Sequence, residues 1–104
     1  MKKDNQEQEK PNAKMTIDEL TALAEKGDAE AQCKLGYRYK KGKGVEQDYK
    51  KAAKWFAKSA KQGYMDAQFN LGACYYKGCG VKQNYKKALE WYYKAAEQND
   101  PWSQ

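Results

Sequence analysis

Displacing the sequence against itself by 36 positions lays residues 31–62 over residues 67–98, and 18 of the 32 pairs are identical. Self-similarity at such a period marks a stacked array, in which each unit is too small to bury its own apolar face and needs neighbours to cover it. The recurring pairs are not confined to one stretch. They include Leu35/Leu71, Gly36/Gly72, Tyr39/Tyr75, Gly42/Gly78, Val45/Val81, Ala52/Ala88 and Trp55/Trp91.

Within a unit the apolar spacing is helical. Ala31, Leu35 and Tyr39 recur every four residues, and Ala52, Trp55, Phe56 and Ala60 every three or four. Each unit is therefore two helices, A and B: A over about 29–41 and 65–77, B over about 49–62 and 85–98. Gly42 and Gly78 stand where helix A must end in a left-handed residue. Asp48 and Asn84 precede helix B, where a short side chain can accept from the first free amides. The run Thr16-Ile17-Asp18-Glu19 is a capping box, so a further helix over 17–26 precedes the first full unit. Glycine inside a helix costs about 1 kcal/mol against alanine, so Gly36 and Gly72 imply a close approach of helix B, with Trp55 or Trp91 as the expected neighbour. The fold class expected is all-α: an α-α superhelix, or solenoid, of two 36-residue helix-turn-helix repeats with an N-terminal capping helix. The divisions are 1–14 as a disordered tail, 15–28 as capping helix, 29–63 and 64–99 as repeats, and 100–104 as the start of a third repeat.

The pattern Ala31-x-x-x-Leu35-Gly36-x-x-Tyr39-x-x-Gly42-x-Gly44-Val45-x-Gln47-Asp48-Tyr49-x-x-Ala52-x-x-Trp55-Phe56-x-x-Ser59-Ala60 resembles the Sel1-like repeat, a relative of the tetratricopeptide repeat. Ser59 stands there in place of an alanine, and Asn99 in place of a glycine. A tetratricopeptide array has a 34-residue period and lacks the longer Gly-x-Gly-Val loop. The resemblance implies a right-handed array of the kind abundant in bacteria, acting as a scaffold or adaptor, with the A helices lining its concave surface.

On that surface the first unit presents Glu30, Cys33, Lys34, Tyr37, Lys40 and Lys41. The second presents Asp66, Phe69, Asn70, Ala73, Tyr76 and Lys77. Such a mixture can stack on and hydrogen-bond to an extended peptide or a helix, and its basic side suits a partner carrying carboxylates. The competing reading packs Tyr37, Phe69 and Tyr76 between adjacent A helices.

The net charge of +6 is uneven: residues 29–63 hold ten Lys or Arg against three acids. Lys50, Lys54, Lys58 and Lys61 form a row along the first B helix, read either as a solvated convex face or as a contact for an anionic surface. Nucleic acid or another polyanion is thus the alternative partner. Against it, Arg38 is the only arginine among twenty basic residues, whereas bidentate phosphate and guanine readout favours arginine.

No catalytic set emerges, so the chain is expected not to be an enzyme. There is no histidine, which removes Ser-His and Cys-His nucleophile pairs. Some Sel1-like relatives are linked to β-lactam binding or hydrolysis, but Ser-x-x-Lys and Lys-Thr-Gly are both missing. Gly42-Lys43-Gly44 follows a helix and lacks a phosphate-loop ending. No cofactor and no metal are expected, since Cys33, Cys74 and Cys79 include no second ligand pair for zinc. Without a secretory leader in the first residues they read as reduced thiols of a cytoplasmic protein, with Cys74–Cys79 pairing left open. No apolar run approaches the ~20 residues of a membrane span. Asp100-Pro101-Trp102-Ser103-Gln104 aligns with the start of helix A, so either the chain is a fragment of a longer array or the exposed end is covered by a partner, self-association included.

Overall fold

Four of the five helix starts in the computed structural model, which describes residues 15–98, are places where a side chain satisfies a first-turn amide. Helix α1 spans Ile17–Glu25, and the Thr16 side chain and the Glu19 carboxylate exchange hydrogen bonds with each other's backbone N–H. Helix α2 spans Ala29–Lys41, with the Asp28 carboxylate accepting from the Ala31 N–H. Helix α3 spans Tyr49–Lys61 and is capped by Asp48 through the Lys51 N–H. Helix α4 spans Met65–Lys77 without a side-chain cap, and α5 spans Tyr85–Gln98, where Asn84 Oδ1 accepts from the Lys87 N–H at 3.0 Å. The A helices end at Gly42 and Gly78 with φ of 74° and 75°, the left-handed conformation in which a Cβ is penalised.

Each helix packs on the next in sequence, α1 on α2, α2 on α3, α3 on α4 and α4 on α5. This nearest-neighbour order is that of a solenoid, and the described residues contain five helices and no strand. Leu20, Ala24, Ala31 and Leu35 join α1 to α2. A second cluster, built on Phe56 with Ala52, Ala53, Ala60, Ala67 and Leu71, joins α2, α3 and α4. Phe56 is fully buried.

The close approach at the mid-helix glycines is real, but its partner differs from the expected tryptophan. A Cβ on Gly36 would lie 2.9 Å from Phe56 Cδ1 and Cε1, and one on Gly72 would lie 2.9 Å from Tyr92 Cδ1. The residue after each tryptophan faces the glycine, while Trp55 packs partly buried on the α1–α2 cluster. The helical turn explains this: Ala52 and Phe56 are four apart and share the face aimed at α2, and Trp55 lies to one side.

A glutamine ladder ties the units together. Gln32 Nε2 donates to the Ala24 carbonyl, and Gln62 Nε2 donates to the Gly27 carbonyl and to Gln32 Oε1. One repeat later Gln68 donates to the Ala60 carbonyl, and Gln98 to the Gly63 carbonyl and Gln68 Oε1. The Ala24 and Ala60 carbonyls, which also accept from the Gly27 and Gly63 N–H groups, gain a second bond in this way, and the Gly27 and Gly63 carbonyls in the turns after α1 and α3 gain a side-chain partner. The expected tail over 1–14 and third-repeat start over 100–104 lie outside the described residues.

Candidate functional site

A groove of about 420 Å³ opens between the two A helices, α2 and α4. Consecutive turns of α2 place Lys34, Tyr37 and Arg38 on one wall, with Lys43 from the following turn, while Asp66, Phe69 and Asn70 of α4 form the other. Cys33 lies beneath, only 6% exposed. These side chains share a groove because positions three and four apart lie on one helical face.

The walls differ chemically. Tyr37 is 41% exposed and carries two ammonium groups above its ring, Lys41 Nζ at 5.7 Å and Lys43 Nζ at 5.6 Å from the centroid. Arg38 is anchored by donating from Nη2 to the Met15 carbonyl at 2.6 Å. That wall is cationic and aromatic. On the other, Phe69 is 42% exposed and leans on Tyr92, ring centroids 6.1 Å apart. Asn70 donates from Nδ2 to the Asp66 carbonyl at 2.8 Å, which fixes its amide orientation. Burial, reinforced by the Asp66 carboxylate, pushes the Cys33 thiol up to about 12, so at neutral pH it is a small apolar floor rather than a nucleophile.

Of the twelve residues expected on the concave face, the groove gathers Cys33, Lys34, Tyr37, Asp66, Phe69 and Asn70. Lys41 stands at its rim over Tyr37. Glu30, Lys40, Ala73, Tyr76 and Lys77 do not line it; Tyr76 instead meets the Tyr85 ring at 5.2 Å. Arg38 and Lys43 line the groove without having been singled out for it. The helical spacing from Lys34 to Arg38 was a usable signal, whereas Lys43 arrives through the left-handed turn at Gly42, which periodicity does not report. Tyr37, Phe69 and Tyr76 remain among the exposed large side chains rather than filling the core. Cys33, Cys74 and Cys79 are all free thiols.

Stacked two-helix units with a groove between successive A helices define a helical-repeat solenoid. The Sel1 repeat family model matches residues 29–64 and 66–100, and the chain belongs to that family. Solved structures agree. The chain is 42% identical to c5321, a protective antigen of uropathogenic Escherichia coli displaying an SLR fold, with a TM-score of 0.78 over 86% of this chain and 19% of that one. It is 46% identical to a Sel1 repeat protein from Oxalobacter formigenes, TM-score 0.70, over 75% of this chain and 32% of that one. Helicobacter pylori cysteine rich protein B is 29% identical, TM-score 0.77, over 84% and 65% respectively. The chain thus spans less than two thirds of each of these three proteins. No curated protein matches it significantly. Sel1 repeat proteins are generally protein-interaction scaffolds and typically not enzymes. No described helix is long and apolar enough to cross a membrane.

Proposed function

We propose that the chain is an adaptor that binds a peptide or protein segment in the groove between α2 and α4, and that binding rather than turnover is its activity. The observation that carries this reading is the pair Tyr37 and Phe69, both near 40% exposed and lining one groove. Half-exposed aromatics supply large contact area at low entropic cost and are enriched at interface centres. Lys34, Arg38 and Lys43 on the α2 wall favour a segment carrying carboxylates, whose apolar side chain stacks on the rings. Asn70 on the opposite wall suits a peptide backbone. Three free thiols fit a reducing, cytoplasmic setting.

The convex lysine row supports this choice over nucleic acid. Lys58 Nζ lies 5.8 Å from the ring centroid of the partly buried Trp55, so one member of the row covers an aromatic of its own helix. Panning a peptide library against the wild type and against Lys34→Glu/Tyr37→Ala/Asn70→Ala, with circular dichroism verifying the fold, tests the reading. Acidic peptides retained by the wild type and lost by the folded variant are expected. The same peptides held equally by both would place binding elsewhere, and salt-steep affinity for arbitrary oligonucleotides would favour the polyanion alternative.

A further inference from the structure

We propose that Cys74 and Cys79 are a redox modification site, closing an intrachain disulfide across the turn that ends α4 when a small-molecule disulfide is present as oxidant. The turn itself brings the two residues together. The Gly78 and Cys79 N–H groups both donate to the Cys74 carbonyl, at 2.7 and 2.9 Å, and Gly78 is left-handed, with φ of 75°. At a helix end of this kind the side chains on either side of the glycine commonly touch. With ordinary backbone bond lengths, the 2.9 Å hydrogen bond holds the two Cα atoms no more than about 6.8 Å apart. A disulfide spans about 4.4–6.8 Å.

Two further observations put the side chains, and not only the backbones, near each other. Burial, and then the neighbouring Cys79 thiol, hold the Cys74 thiol above its ordinary value. The first repeat makes the same turn: the Gly42 and Lys43 N–H groups donate to the Arg38 carbonyl at 2.7 and 2.9 Å, and the Arg38 and Lys43 side chains line one groove. The frame therefore aims both positions to one side. A displacement of 36 residues turns these two cations into the two cysteines, so the thiol pair is particular to the second repeat.

Accessibility divides the chemistry between them. Cys79 is half-buried and Cys74 only 6% exposed, so the oxidant meets Cys79. The Cys79 thiolate attacks one sulfur of the small disulfide; a bond to Cys79 forms, the original S–S bond breaks, and one small thiolate leaves. Cys74 then loses its proton to solvent and attacks the Cys79 sulfur. The internal S–S bond forms, and the second small thiolate leaves and is protonated. Two protein thiols are oxidised, and one small disulfide is reduced to two thiols. Because the Cys74 thiol holds its proton more tightly than usual, the second step is the slower one at neutral pH and quickens as pH rises. A thiol held this close acts at a high effective concentration, which makes the bridge rather than the mixed disulfide the end point. The bridge ties the end of α4 to a turn whose next residue, Gly80, packs against the Tyr49 carbonyl at the start of α3, and so fixes the junction between repeats. Neither cysteine lines the groove between α2 and α4, so the inference stands apart from the adaptor reading.

The test equilibrates the full chain with oxidised and reduced glutathione, quenches it, alkylates the remaining thiols in urea and digests with trypsin. Cleavage after Lys77 separates the two cysteines, so a bridge appears in the mass spectrum as two linked peptides. The expected product links Cys74 to Cys79 and leaves Cys33 alkylated, and it is preceded by glutathione on Cys79. Cys74→Ala should stop at that mixed disulfide, and Cys79→Ser should give neither product. Equilibrating in concentrated urea should lower the equilibrium constant for the bridge severalfold, because the turn that holds the thiols together is lost. A mixed disulfide that stays on Cys79 without closing, even at alkaline pH, overturns the proposal. So does a bridge to Cys33 or to a second chain, or an equilibrium constant unchanged by urea. The wild type alone supplies these readouts, which keeps the test decisive should a variant fold poorly.

Discussion

Replacing Gly36 by alanine sets two opposed effects against each other at one atom. In an isolated helix the change favours folding by about 1 kcal/mol, because glycine has more backbone freedom to lose. Here the new methyl would lie 2.9 Å from two ring carbons of Phe56 and 3.0 Å from the Ala52 carbonyl. Phe56 is fully buried within the cluster that joins α2, α3 and α4, so its ring has no free volume to enter and the helices must separate. Overpacking of this kind costs about 1–3 kcal/mol, and the loosened contacts around the ring forfeit dispersion energy as well. The net expectation is a loss of about 1–2 kcal/mol, lowering Tm by roughly 4–8 °C per kcal/mol. Gly72→Ala is the internal control. It meets Tyr92 at similar distances, but that ring is only half-buried on α5, with no described helix beyond it. It can swing aside, so the cost should be near zero. Thermal and urea unfolding followed by circular dichroism measures both. A smaller penalty for Gly36→Ala in a Phe56→Leu background would show coupling of about 1 kcal/mol. A rise in Tm for Gly36→Ala, or no coupling to Phe56, refutes the reasoning.

Other consequences are equally direct. Gln32→Ala removes two hydrogen bonds from a buried side chain, but the Ala24 carbonyl keeps the Gly27 N–H and the Gln62 amide keeps the Gly27 carbonyl, so the cost by urea unfolding should be about 0.5–1.5 kcal/mol. Tyr37→Ala removes an exposed ring and should change stability by no more than about 0.5 kcal/mol while abolishing peptide binding, measured by calorimetry alongside unfolding. Thiol alkylation followed by mass spectrometry should label half-buried Cys79 first. Cys33, pushed from an ordinary value of 9.0 to about 12, should stay unmodified until the pH rises well above 9. Because its folded value is the raised one, its contribution to stability is complete below pH 9 and declines as pH climbs from 9 toward 12.

The architecture was legible because the 36-residue period, the helix-end residues and the 3.6-residue apolar spacing all point the same way. The groove was half legible. Helical spacing put Lys34 with Tyr37 and Phe69 with Asn70, but how adjacent A helices splay decides which of those residues meet, and that depends on side-chain volumes in the α2–α3–α4 cluster. Tyr76 was thereby drawn to Tyr85 instead. Assigning the mid-helix glycines to Trp55 rather than Phe56 was an error of one position, which is 100° around a helix. The glutamine ladder was visible only as recurring pairs, since nothing in periodicity says that a polar side chain reaches a carbonyl of the preceding unit.

The central claim is that an acidic segment sits between α2 and α4. Titrating a selected acidic peptide into the ¹⁵N-labelled chain and following the backbone amides tests it most directly. The account predicts the largest shifts at Lys34, Tyr37, Arg38, Phe69 and Asn70, lost in the groove variant. Shifts concentrated on the lysine row of α3, with the groove amides unmoved, would contradict it.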